Sequence, residues 1–172
     1  MNEPDKTPSL SKPIIILIWI GLLIITTLIF NNVIKKQHNS NQALRISVNE
    51  FGHPEVTLLR NKYGHYVASG EINNQPVTFL LDTGATLIAI PEHIANQLNL
   101  KKGNSFLTET TNGSSVSYRT ILDKVSLGDI VMNNVPASIS SGMQFDEILL
   151  GMSFLKHLKM TQQGKQLTLS IH

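Results

Sequence analysis

Asp82, Thr83, Gly84 and Ala85 follow directly on the apolar run Val77-Thr78-Phe79-Leu80-Leu81. A strand that ends this way carries one carboxylate to the mouth of a fold, where it can hold or release a proton. Thr83 adds a hydroxyl able to bond a neighbouring loop, and Gly84 lets the backbone turn tightly and another chain come close. The same residue types also make an ordinary β-turn, so the tetrapeptide alone leaves both readings open. The histidines His38, His53, His65, His93, His157 and His172 show no HExxH or other ligand spacing, so no metal site is expected. The chain has no cysteine, which excludes disulfides, thiol catalysis and Cys-ligated zinc. A net charge of +2 and the lack of a Gly-rich phosphate loop give nucleic acid and nucleotide binding little support. Asp146 and Glu147, adjacent on extended chain, should point to opposite sides and form a solvated lead-in to Ile148. Glu92 and His93 fall in the first turn of a short helix, on its exposed face.

A second informative segment is Ile148-Leu149-Leu150-Gly151, which leads into Met152-Ser153-Phe154-Leu155-Lys156-His157-Leu158. Phe154, Leu155 and Leu158 would share one helical face. With both segments in view, the chain resembles the retropepsin-like (clan AA) aspartic proteases, and within them the bacterial, membrane-anchored branch. The likeness rests on Gly64-His65-Tyr66, Phe79 to Thr86, Thr111-Asn112-Gly113 and Leu149 to Leu155, in order and spacing, and covers about Arg60 to Leu169. The resemblance implies a mainly β fold, a retropepsin-like closed β-barrel forming one acid-protease half, with one or two short helices. It implies that Asp82 is catalytic, that Thr83, Gly84 and Ala85 form the active-site loop, and that Leu149, Leu150 and Gly151 lie beneath it. No cofactor is implied. His65, beside Tyr66, matches the family's opening strand and is read as structural. One departure is Met152, which stands where a charged residue often follows the later glycine.

Peptide hydrolysis by carboxylates needs a pair: close together they share one proton, so one acts as base on a water while the other donates to the scissile carbonyl. Asp5, Asp123, Asp129 and Asp146 are not followed by Ser/Thr-Gly. The partner carboxylate is therefore expected from a second copy, in a twofold homodimer that brings Asp82 against its symmetry mate.

The elements that must position these residues are legible from pattern. Residues 1–12 read as a tail. Pro13 to Ile34 carries no charge and, at about 1.5 Å per residue, is long enough to cross a hydrocarbon core of about 30 Å as a single transmembrane helix. A cleaved signal peptide is the rival, but Leu28 to Val33 offers no small-x-small site. Trp19 lies mid-span and does not report depth. Lys6 and Lys12 before the span nearly balance Lys35, Lys36 and Arg45 after it, so charge leans slightly toward a cytoplasmic domain but is too even to settle orientation. The resemblance implies a bacterial inner-membrane anchor with the domain on the periplasmic side. Residues 35–45 read as a polar linker with a tether at Gln37 to Gln42, and 46–172 as the protease domain.

Within that domain, Ala43 to Leu59 suggests short strands broken by Gly52-His53-Pro54. Tyr66 to Ile72 and Gln75 to Leu81 flank Asn73-Asn74 as a hairpin. Leu87 to Ile90 is a buried strand, Pro91 starts a helix in which Ile94 and Leu98 share a face, and Lys101-Lys102-Gly103 stops it. Strands follow at Phe106 to Thr111, Val116 to Ile121, Val125 to Leu127 and Ile130 to Met132, the last two joined by Gly128-Asp129. His157 to Thr161 and Gln166 to Ile171 surround a turn at Gln163-Gly164-Lys165. Thr108 to Thr111 and Ser114 to Tyr118 are polar on both sides of Asn112-Gly113, so this hairpin should stand out in solvent, as a flap over a substrate cleft would, or as a plain surface hairpin. Thr111, Asn112 and Gly113 form its tip.

The reading that follows is a single-pass membrane protein whose domain is an aspartic endopeptidase acting on protein or peptide substrates as a homodimer. The alternatives are a catalytically inactive binding module of the same fold and an anchored dimerisation unit.

Overall fold

The computed structural model describes residues 12–110 and 113–171. Most of the expected N-terminal tail, and Thr111 and Asn112 of the expected flap tip, lie outside the described residues. The chain divides into two compact units, Met1–Lys36 and Gln37–His172.

The first unit is dominated by helix α1, Lys12–His38, whose 27 residues continue past the expected span into the second unit. Its apolar side chains are exposed, Leu17 at 67 % and Leu23 at 69 %. The window Lys12–Asn31 has mean hydropathy 2.8, enough to cross a membrane by length and composition. The hydroxyls of Thr26 and Thr27 donate to Leu22 O and Leu23 O one turn back, each at 2.8 Å, which removes two unpaired donors from an apolar surface.

The second unit consists of β1 (Arg45–Val48), β2 (Pro54–Leu59), β3 (Val67–Ile72), β4 (Gln75–Leu81), β5 (Ile88–Pro91), α2 (Glu92–Gln97), β6 (Ser105–Thr110), β7 (Gly113–Leu127), β8 (Ile130–Ser140), β9 (Ile148–Leu150), α3 (Met152–Leu155), β10 (Leu158–Gln163) and β11 (Gln166–Ile171). A four-stranded sheet has the order β1-β2-β11-β10, and a seven-stranded sheet the order β3-β4-β9-β5-β8-β7-β6. In the larger sheet β3 also pairs with β7, through Glu71–Ser126 and Ile72–Val125. The sheet is thus drawn round on itself there, while the expected barrel is not fully closed. Phe79, Ile88, Ile148, Leu150 and Phe154 are among the fully buried side chains at its centre.

The β3–β4 hairpin turns through Asn73 and Asn74 at φ 51° and 63°, a left-handed pair that asparagine tolerates. Asn73 also binds β7: its amide donates to Lys124 O at 2.9 Å and its side-chain oxygen accepts from Lys124 N at 3.0 Å. A turn that binds a third strand pins the register of all three.

Several local expectations are corrected. β7 is one unbroken 15-residue strand rather than two, because β8 pairs with it along Ser117–Ser140 to Leu127–Ile130 and carries the ladder past the polar Asp123-Lys124 step. β8 likewise runs on to Ser140. Helix α2 is stopped by Asn99 at φ 54°, with Leu100 N donating to Ala95 O at 2.9 Å, well before Gly103. Helix α3 is a single turn, and Leu158 belongs to β10 rather than to the helix.

The polar segment after α1 does not hang free as a tether. Asn41 is 3 % exposed; its Nδ2 donates to Leu59 O at 2.9 Å and Val67 O at 2.7 Å, and its Oδ1 accepts from Leu59 N at 2.6 Å. One amide side chain thereby satisfies three backbone groups at the ends of β2 and β3, which those strands could not satisfy alone.

Candidate active site

Strand β4 pairs in parallel with β9, Leu81 opposite Leu150, and β9 in turn meets β5 at Ala89–Leu149. The loop of residues 82–87 therefore leaves one strand and enters another two places away, crossing the end of β9. That crossing brings Asp82 to Gly151. Asp82 N donates to Leu150 O at 3.2 Å, Met152 N donates to Ala85 O at 2.8 Å, and Ser153 N donates to Thr86 O at 3.0 Å. Ser153 Oγ accepts from Ile88 N at 2.9 Å. A Cβ on Gly151 would fall 2.2 Å from Leu87 O and 2.6 Å from Ala85 O, so only glycine lets the loop lie this close.

Within the loop, Asp82 Oδ1 accepts from Gly84 N at 2.8 Å, and Ala85 N donates to Asp82 O at 3.3 Å. One carboxylate oxygen is thus oriented by its own loop, and the other accepts no hydrogen bond from a described residue. Asp82 is half-buried, while Thr83 and Gly84 are exposed. The local turn expected from Asp, Thr and Gly is present, and it is the turn that presents the carboxylate.

The structure brings Asp82, Ala85, Leu150 and Gly151 together. Ser153, whose hydroxyl holds the far end of the loop, was missed from sequence. The signal available for it was a lone buried hydroxyl inside an otherwise apolar Gly-x-x-Phe-Leu segment.

The remaining carboxylates are elsewhere. Asp146 bonds His93 Nε2 at 3.0 Å and Glu147 bonds His38 Nε2 at 2.5 Å, so the adjacent acids do diverge. The expected solvated lead-in holds for Asp146, 88 % exposed at its side chain, but not for Glu147, which is 19 % exposed at its side chain and bonded to His38. Glu92 pairs with Lys102. Its bond to Glu92 holds the Lys102 ammonium above the usual lysine range. Among the described residues, no group of three or more His, Asp and Glu side chains could hold a metal ion.

The β6–β7 hairpin pairs from Ser105–Tyr118 to Thr110–Gly113. It is not polar throughout. Leu107 and Val116 sit opposite each other on one face and are both exposed, at 74 % and 40 %. Ser141 anchors the hairpin, its amide and its hydroxyl both donating to Val116 O, at 3.2 and 2.8 Å. Gly113 has φ 108°, open to glycine and rarely to other residues.

The family model described as "gag-polyprotein putative aspartyl protease" matches residues 68–157, which include Asp82 and Gly151. An uncharacterized protein in the cobV 5' region of Sinorhizobium is 32% identical over 114 residues, covering 64% of this chain and 49% of its own length. An uncharacterized protein of Rickettsia prowazekii is 32% identical over 110 residues, covering 61% of this chain and 46% of its own. The chain thus spans about half the length of these curated relatives. The crystal structure of a retropepsin-like aspartic protease from Rickettsia conorii superposes with a TM-score of 0.56 at 30% identity, over 66% of this chain and 97% of that one.

Proposed function

Because this chain belongs to the gag-polyprotein aspartyl protease family and has the retropepsin-like fold, we propose that it is an aspartic endopeptidase in which Asp82 of two copies forms the catalytic pair. The observation that carries this reading is the Asp82 carboxylate, oriented by the Gly84 amide at 2.8 Å on a loop whose Thr83 and Gly84 are exposed in the single chain. Exposed loop backbone beside a half-buried acid suits a site completed by a second subunit.

In this mechanism the two carboxylates share one proton. The ionised member takes a proton from water as that water attacks the scissile carbonyl carbon, and the protonated member donates to the carbonyl oxygen. Collapse of the tetrahedral intermediate breaks the C–N bond, with a proton passing to the departing amine. The β6–β7 hairpin serves as the lid that closes over bound peptide, with Leu107 and Val116 as its apolar underside. Helix α1 is the anchor of a single-pass bacterial membrane protein whose domain faces the periplasm. Confinement to a membrane raises the effective concentration of subunits and favours pairing.

A second reading, an inactive binding or dimerisation module, is favoured by Met152, which packs against the core where a charged residue is often found in this family. Incubating the full-length chain and its Asp82→Asn variant with a peptide mixture decides between them. Hydrolysis by the first alone supports the protease, and equal inactivity of both supports the module.

A further inference from the structure

The last two residues of α1, Gln37 and His38, belong to the second unit and are bound into it. Lys62 Nζ donates to Gln37 Oε1 at 2.7 Å, and Asn61 Nδ2 donates to His38 O at 2.9 Å. Asn61 is 7 % exposed, and its Oδ1 accepts from Tyr63 N and His65 N at 2.9 and 3.0 Å, so the amide that holds His38 is itself fixed. On the other side of His38, Asn39 Nδ2 donates to Ser69 Oγ of β3 at 3.1 Å, and Asn39 Oδ1 accepts from Asn41 N at 2.9 Å. Buried amides thus place the backbone at His38 from both sides.

From that fixed point the imidazole reaches the carboxylate of Glu147, Nε2 to Oε1 at 2.5 Å. Glu147 directly precedes β9. Its neighbour Asp146 is bonded by His93, but the Asp146 carboxylate is 88 % exposed and that of Glu147 only 19 %. Water screens the first pair far more than the second, so the tie to His38 is the stronger of the two.

What that tie can govern follows from the shortness of β9. The strand has three residues, paired with β4 from Phe79–Ile148 to Leu81–Leu150 and with β5 at Ala89–Leu149. So short a ladder does little to fix the strand along its own axis, and the bonds at its two ends matter accordingly. At one end Gly151 lies against the loop of residues 82–87; at the other Glu147 is held by His38. Between them Leu150 O accepts from Asp82 N at 3.2 Å, so a shift of β9 along its axis is passed to the backbone of Asp82.

We infer that His38 is a positioning residue for the Asp82 site: through Glu147 it holds β9 where Leu150 O meets Asp82 N, which makes the end of the proposed anchor helix part of the support of the active site. The inference rests on the protease reading and adds a residue to it. Because His38 acts on the reaction only through the placement of Asp82, its loss slows the chemical step and leaves peptide binding alone. A misplacement of about 1 Å costs about a hundredfold in rate, and a fraction of that shift costs about three- to tenfold.

The test uses the full-length chain in lipid nanodiscs, comparing wild type with His38→Ala, His38→Gln, His93→Gln and the double variant His38→Ala/Glu147→Ala. Hydrogen exchange read by mass spectrometry over residues 79–86 and 148–153 reports the tie without any need for turnover. Steady-state kinetics on a fluorogenic peptide selected from a library report its effect on the reaction. His38→Ala should speed exchange in both segments at least about twofold and lower kcat about three- to tenfold at unchanged KM. His38→Gln, which keeps an N–H donor for Glu147, should restore most of both, and the double variant should be no worse than His38→Ala. His93→Gln, at the exposed pair, should stay within about twofold of wild type. Unchanged exchange in His38→Ala overturns the tie and leaves the protease standing if wild type cleaves. Faster exchange with kcat unchanged, or with a change confined to KM or Tm, overturns the positioning role. Faster exchange in a chain whose wild type cleaves no peptide keeps the tie and overturns the protease reading, and with it any role of His38 in turnover.

Discussion

Gly151 lies so close beneath Leu87 that a Cβ would stand 2.2 Å from the Leu87 carbonyl oxygen. The main-chain oxygen cannot rotate away as a side chain could, so the loop of residues 82–87 and the start of α3 are held in one relationship by the absence of a methyl group.

Gly151→Ala should therefore force the loop off β9. The expected cost is about 2–4 kcal/mol, a fall in Tm of about 10 °C, with loss of any turnover that depends on Asp82. Thermal denaturation monitored by circular dichroism checks the first part. A Tm within a degree of wild type would contradict the packing described.

Asp82→Asn should leave the fold intact, since the amide oxygen can still accept from Gly84 N. Asparagine can neither share the proton nor act as base, so hydrolysis should drop by at least about a hundredfold. Because a carboxylate pair works while carrying a single proton, the wild-type rate should peak in acid and decline toward neutral pH. A rate still climbing above pH 7 would count against the paired mechanism.

If each subunit supplies one acid, specific activity should fall on dilution in detergent, and excess Asp82→Asn chains should poison wild type through mixed dimers. Sedimentation run alongside the assay is decisive. A species that stays monomeric at full activity rules the pairing out.

Asn41→Ala removes the partner of Leu59 N, Leu59 O and Val67 O at once. Loss of three bonds, one buried and two partly buried, should destabilise the domain by about 2–4 kcal/mol. Urea unfolding of the two chains gives the difference, and a near-zero value would mean that these groups are satisfied otherwise.

Gly113→Val places a β-branched residue at φ 108°. A Cβ there meets nothing within 4 Å among the described residues, so the cost falls on the hairpin's backbone and not on the core. Turnover or peptide affinity should fall with little change in Tm. Global unfolding of the variant would show that the hairpin is structural rather than a lid.

The sequence by itself determined what depends on neighbouring residues. The apolar helix follows from an uninterrupted uncharged run, the Asn73-Asn74 turn from the tolerance of asparagine for left-handed backbone, and the Asp82 turn from Asp, Thr and Gly in succession. The Asp82 and Gly151 segments could be paired only through a family resemblance, because no local rule links residues so far apart.

Tertiary structure alone decided the rest. The insertion of β9 between β4 and β5, the continuity of β7 past Asp123, the burial of Asn41 and the hold of Ser153 on Ile88 all arise from strands meeting across long separations. A polar residue reads as loop or tether when its partners are unknown. Asn41 and Ser153 became structural only once the fold supplied the backbone groups that they bind.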